Sequence, residues 1–172
     1  MALAGAGGAL NDFDLLATTT VSSDVLSVTF SSLNTFTDYK HLQVRAHAHN
    51  NGYDPSIIRV NGSSSSSDYY SHQFFNDGTT VDSDNVGPEI RNGFFSSDVG
   101  AYGGMVVDVL DFQSTSKNTV IRSFSGGGRA DRVHLDGGVY LNTAALTSLE
   151  FTWPNTNLRW KTNSRFSLYG VK

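Results

Sequence analysis

His47 and His49 are separated by a single residue, and Asp54, His72 and Asn76 follow them. On a β-strand, side chains two apart project from one face, so both imidazoles could converge on one divalent metal. The strand's own polar alternation is enough to account for them. Within Tyr39 to Ala48, Leu42, Val44, Ala46 and Ala48 are apolar while His41, Gln43, Arg45 and His47 are polar, which gives a solvent-facing row of histidines without any metal. Asp82-x-Asp84, with Gly87 in sixth place, begins like a calcium loop, but Gly93 holds the twelfth position, where a bidentate Glu is needed. That excludes an EF-hand and leaves an Asp-rich loop over Val81 to Asn92, built from Asx turns or holding an irregular ion site.

Asp108 and Asp111 lie in the most apolar run of the chain, Met105 to Phe112, which reads as a strand covered on both sides. A carboxylate there must be paired or hydrogen-bonded, because an isolated buried charge is costly. Arg122, at the centre of the next apolar run, is the expected partner across a hairpin turn over Gln113 to Asn118. Two acids without a nucleophile do not make a glycosidase. The nucleophile elbow G-x-S-x-G, the S-x-x-K pair and His-Glu-x-x-His are all missing, and the glycines at 5–8 and 126–128 lack the remainder of any phosphate-binding motif. No catalytic, cofactor-binding or metal-binding residue is therefore assigned, and the chain is not expected to be an enzyme.

The aromatic residues are more informative. They make up 12% of the chain and include the doublets Tyr69-Tyr70, Phe74-Phe75 and Phe94-Phe95, with Trp153 and Trp160 later. Within a strand, one ring of each doublet must point away from the core face. Such rings serve as inter-subunit anchors or as platforms on which sugars stack. Tyr69, Phe75 and Phe95, together with Leu3 and Leu10 near the N-terminus, are the interface candidates; Trp153, Trp160 and Tyr70 are the glycan-stacking candidates.

The elements that must carry these side chains follow from composition. With 172 residues the chain fits one domain, the usual span being roughly 100–200 residues. Fourteen Asp against two Glu, with abundant Ser, Thr, Asn and Gly, favour turns and strands over helices. About ten short strands are expected, at Phe13–Val21, Asp24–Phe30, Tyr39–Ala48, Ser56–Val60, Tyr69–Phe75, Met105–Phe112, Thr119–Ser125, Gly138–Leu141, Leu149–Trp153 and Arg165–Val171. Their even spacing predicts an all-β fold: an antiparallel, jelly-roll-like β-sandwich over 13–172. Residues 1–12 form an Ala/Gly-rich arm expected to lie on a neighbouring subunit or to fray, and they lack the basic region of a secretory signal. Without cysteine there is no thiolate metal site or disulfide. The net charge of −4 gives no basic footprint, so no nucleic-acid partner is expected, and no run of about 18 apolar residues occurs, so no membrane partner is expected either.

Two resemblances bear on function. The first is distant: His47, His49 and His72 are similar to the opening of a cupin metal site, but a cupin wants Glu at Asp54 and glycines at His41 and Tyr69. The second spans nearly everything after residue 38. It is carried by Tyr39 to Arg45; by Arg59-Val60-Asn61-Gly62 with Tyr69 to His72; by Val107 to Phe112 with Lys117; by Tyr140 to Leu149; and by the closing Ser164-Arg165-Phe166-Ser167-Leu168-Tyr169-Gly170-Val171. Together these resemble a group of short bacteriophage and marine-virus virion structural proteins. The resemblance implies a β-sandwich displayed on the particle, as a capsid decoration (cement) protein on the head or as part of a tail fibre. A cement protein would bridge neighbouring subunits of the major capsid protein and associate with itself, with a homotrimer expected because lattice symmetry is commonly three-fold. The alternative is a tail-fibre or receptor-binding module that recognises host glycans.

Overall fold

The computed structural model describes residues 12–52, 54–76, 78–87, 89–95, 101–127 and 132–172. Twelve strands occur among them: β1 (Phe13–Thr20), β2 (Val28–Ser31), β3 (His41–Ala48), β4 (Ile57–Val60), β5 (Tyr69–Asn76), β6 (Val81–Gly87), β7 (Ile90–Arg91), β8 (Gly103–Leu110), β9 (Thr119–Gly126), β10 (Val133–Tyr140), β11 (Ser148–Thr152) and β12 (Arg165–Val171). They form an antiparallel sandwich of two sheets, ordered β1-β12-β3-β8-β9-β10-β5-β6 and β2-β11-β4-β7.

The order is that of a jelly roll with an addition. Four nested antiparallel pairs, β1 with β12, β2 with β11, β3 with β8 and β4 with β7, alternate between the two sheets, which is how a jelly roll winds. The hairpins β5–β6 and β9–β10 are inserted into this scheme. They pair with each other through β10 and β5, and so widen one sheet from four strands to eight. The all-β sandwich expected from the sequence is what forms, with two strands more than expected.

Those two strands, β6 and β7, arise from the segment read as an Asp-rich loop. Asp82 and Asp84 lie on β6, opposite Phe75 and Gln73 of β5. The run at 141–147 is an arch between the sheets, tied down by Asn61: its Oδ1 accepts from the backbone N–H of Thr147 (2.7 Å) and of Ser148 (3.2 Å), and its Nδ2 donates to the Ala145 carbonyl (3.2 Å).

The core sits between the small sheet and the jelly-roll half of the large one. Trp160 is its centre, with ring centroids 4.5 Å from Trp153, 4.9 Å from Phe166 and 5.0 Å from Phe95, and its indole N–H donates to the Phe151 carbonyl at 2.9 Å. At the closing motif, Gly170 leaves room for Tyr39: a Cβ there would lie 2.4 Å from that ring, well inside contact distance.

Candidate interaction face

Three strands of the added region, β5, β9 and β10, bury polar side chains and expose apolar ones. On β9, Thr119, Ile121, Ser123 and Ser125 are buried while Phe124 is exposed; on β10, His134 and Asp136 are buried while Val133 and Leu135 are exposed; on β5, Ser71 and Gln73 are buried while Tyr70 and Phe74 are exposed. A sheet face meant for water carries the opposite pattern.

The register assembles the outward residues into three rows. Val106, Phe124, Leu135 and Phe74 stand side by side across β8, β9, β10 and β5, and Leu110, Val120, Val139 and Tyr70 form a parallel row. Between them runs a row of Asp108, Arg122, Gly137 and His72. Phe124 is 56% exposed, Leu135 55%, Phe74 50% and Tyr70 47%. Contiguous apolar surface beyond a few hundred Å² marks interaction sites on soluble proteins.

Charge on this face is offset locally. Arg122 Nε donates to Asp108 Oδ2 at 3.1 Å, the pair expected from the sequence, and Gln43 Nε2 donates to Asp108 Oδ1 at 2.8 Å. Such a solvent-exposed pair adds little to stability; its consequence is a face with little net charge. Gly137 forms the floor of a recess of about 440 Å³, lined by His72, Phe74, Arg122 and Leu135. A Cβ at Gly137 would meet nothing within 4 Å, and its φ lies outside the left-handed region, so neither packing nor backbone conformation within the chain calls for glycine. Glycine inside a strand costs about 0.5–1 kcal/mol relative to alanine and often marks a place where another molecule approaches closely.

The inward side of β9, β10 and β5 buries several polar side chains. His134 stacks on Phe75 (5.4 Å) and lies 5.0 Å from Phe94, with the Arg132 guanidinium over both of those phenyl rings. Burial, reinforced by Arg132 and Arg91, pulls the His134 pKa down to about 4. Asp136 accepts from the Ser123 hydroxyl at 3.2 Å, and its burial pushes the carboxyl up to about 7 despite that bond and the nearby Arg91. Sequence reasoning missed both residues. In a chain read as apolar-inside, they alternate with the wrong partners.

The named candidates fall as follows. Tyr69 is buried, its hydroxyl accepting from the Val60 N–H (2.9 Å) and donating to the Ser63 carbonyl (2.8 Å), and Phe95 is sealed against Trp160, so neither can anchor a partner. Phe94 and Phe95 are both buried because they lie beyond β7, where strand alternation no longer applies. Phe75 is half-buried on His134. Trp153 and Trp160 are 1% and 0% exposed and offer no ring face to a sugar; the polar residues around them pointed outward while both indoles turned into the core. Tyr70 is exposed, with its ring 5.0 Å from that of His72. Leu3 and Leu10 lie outside the described residues.

His47 and His49 do share a face, but the three imidazoles do not converge. His47 stacks on Tyr102 at 4.5 Å and His49 meets the same ring edge-on at 4.5 Å, whereas His72 is on β5, four strands away from β3, or about 19 Å at the usual strand spacing. Among the described residues, no three His, Asp or Glu side chains gather where a metal could sit. Met105 to Phe112 is covered on one side only: Met105, Val107 and Val109 face the core, while Val106 and Leu110 belong to the outer rows. No protein-family model, curated protein or solved structure matches the chain.

Proposed function

We propose that this chain is a non-enzymatic virion structural protein of a bacteriophage or related marine virus, acting as a capsid decoration protein that stabilises the head by bridging capsid subunits. The observation that carries this reading is the inverted polarity of β9, β10 and β5. Apolar side chains are spent on an outer face while serine, glutamine, histidine and aspartate are turned inward, a pattern that suits a sheet held against other protein. The jelly roll supplies a rigid base for that face, while His47 and His49 pack on Tyr102 and Asp108 and Asp111 pair with Arg122 and Lys117. The resemblance carried by Tyr39 to Arg45 and Ser164 to Val171 points the same way.

The tail-fibre reading keeps one supporting feature, the exposed Tyr70 beside His72. Comparing particles with and without the protein separates the two. A decoration protein's loss lowers the resistance of the heads to heat and osmotic shock and leaves adsorption to the host intact. Abolished adsorption with unchanged heads would replace this proposal by the tail-fibre one.

A further inference from the structure

We infer that the outer face of β8, β9, β10 and β5 is covered by the same face of a second copy of this chain, with Phe124 of each copy seated over Gly137 of the other. This names an occupant for the face on which the decoration reading rests.

Shape is the first argument. Phe124 is the most exposed large side chain of the central rows, and Gly137 is the floor of a recess beside it. Phe124 stands opposite Leu135 and Gly137 opposite Arg122, so knob and recess are diagonal neighbours on adjacent strands of one face. A two-fold axis lying in the contact plane and crossing that diagonal at right angles at its midpoint puts each knob in the other copy's recess, and the two contacts are made reciprocally. The second trough beside Phe124, lined by Val106, Gly104, Gly126 and Val133 with Arg45 at its β3 side and a volume of about 530 Å³, gives the facing apolar rows further room to interdigitate.

Area is the second argument. The exposed parts of Tyr70, Phe74, Val106, Val120, Phe124, Val133 and Leu135 amount to roughly 700 Å², close to the roughly 800 Å² per partner that a standard stable interface buries. Charge is the third. The chain is acidic overall, so two copies repel weakly at a distance, yet on this face Asp108 is ion-paired with Arg122, which leaves the facing rows with little net charge. A single face meeting itself closes as a pair, in place of the three-fold cluster expected from lattice symmetry.

Sedimentation of the purified full-length chain from low to high micromolar concentration tests this without any particle present, so its outcome is separate from that of the decoration reading. The wild type is expected to pass from monomer to dimer. Phe124→Asp is expected to stay monomeric throughout, and Ser66→Asp, an equal charge change on an exposed turn, to dimerise like the wild type. Gly137→Val is the decisive variant because its two effects have opposite signs: the isolated chain melts at the same or a higher temperature, while the dimer dissociation constant weakens by roughly tenfold or more. It also decides the matter if Phe124→Asp fails to fold. A wild type that is monomeric at the highest concentration, a trimer, or a dimer unaffected by Gly137→Val would overturn the inference.

Discussion

Phe124 on β9 and Leu135 on β10 are directly opposed across an antiparallel pair, and both side chains point away from the core. An exposed cross-strand apolar pair contributes only about 0.2–1 kcal/mol to the sheet that carries it. Threonine is a good strand former. The double variant Phe124→Thr/Leu135→Thr is therefore expected to unfold within about 1 kcal/mol of the wild type when both are diluted to monomer. Urea denaturation at low concentration measures this; a loss of several kcal/mol would mean that the pair holds the fold together.

Both tryptophans of the chain are sealed in the core. Their emission is expected to be blue-shifted and insensitive to iodide, and titration with mono- or oligosaccharides should leave it unchanged. Iodide quenching in the folded protein would contradict the burial. Trp160→Ala is expected to cost about 3–5 kcal/mol, since it empties the centre of the cluster and frees the Phe151 carbonyl.

The tryptophans also show where the sequence could be read and where it misled. Strands such as β3 and β12 alternate cleanly and pack one face on the core, so their positions were legible. Trp153 and Trp160 lie among Asn, Thr and Pro, and that polar setting suggested a surface site; burial of the two indoles against each other outweighs the polarity of their neighbours. Strand β6 was hidden because Asp82, Ser83, Asp84 and Asn85 carry turn chemistry, yet pairing with β5 recruits them, and β7 was hidden because it is only two residues long and forms by pairing with β4. The outer face left one trace, the apolar residues on both sides of Met105 to Phe112, which looked like double burial. Polarity alone cannot distinguish a side covered by the chain itself from a side reserved for a partner.

Asp136 and His134 set opposing pH dependences. Unfolded, Asp136 loses its proton near pH 3.8, but folded it keeps it to about 7, so its contribution to stability falls as pH rises through that window. Unfolded, His134 holds its proton to 6.5, but folded only to about 4, so its contribution rises over that range. The two contributions run in opposite directions, so the wild-type profile is expected to show little slope from this pair between about pH 4 and 6.5. Asp136→Asn removes the falling arm and is expected to make stability climb relative to wild type across that window; His134→Leu removes the rising arm and is expected to make it fall. Each change in slope is at most roughly 1.4 kcal/mol per pH unit. Urea midpoints measured against pH check both, and variants whose profiles parallel the wild type would contradict the assigned protonation.

Asn61 adopts a left-handed φ of 52° and its side chain holds the arch at 145–148. Asn61→Ala removes the acceptor for two backbone N–H groups and places a less tolerant residue in that conformation, at an expected cost of about 1–3 kcal/mol. Asn61→Asp keeps the acceptor and should lose less. Equal destabilisation by the two, read from thermal melts, would show that the acceptor is not what matters.

Counting this protein in particles purified from the source of the sequence tests the structural role most directly. Quantitative mass spectrometry, normalised to the major shell subunit, is expected to find it in numbers comparable to the shell's own repeating units. Its absence from intact particles, or a count limited to the handful of positions a tail offers, would contradict a shell protein.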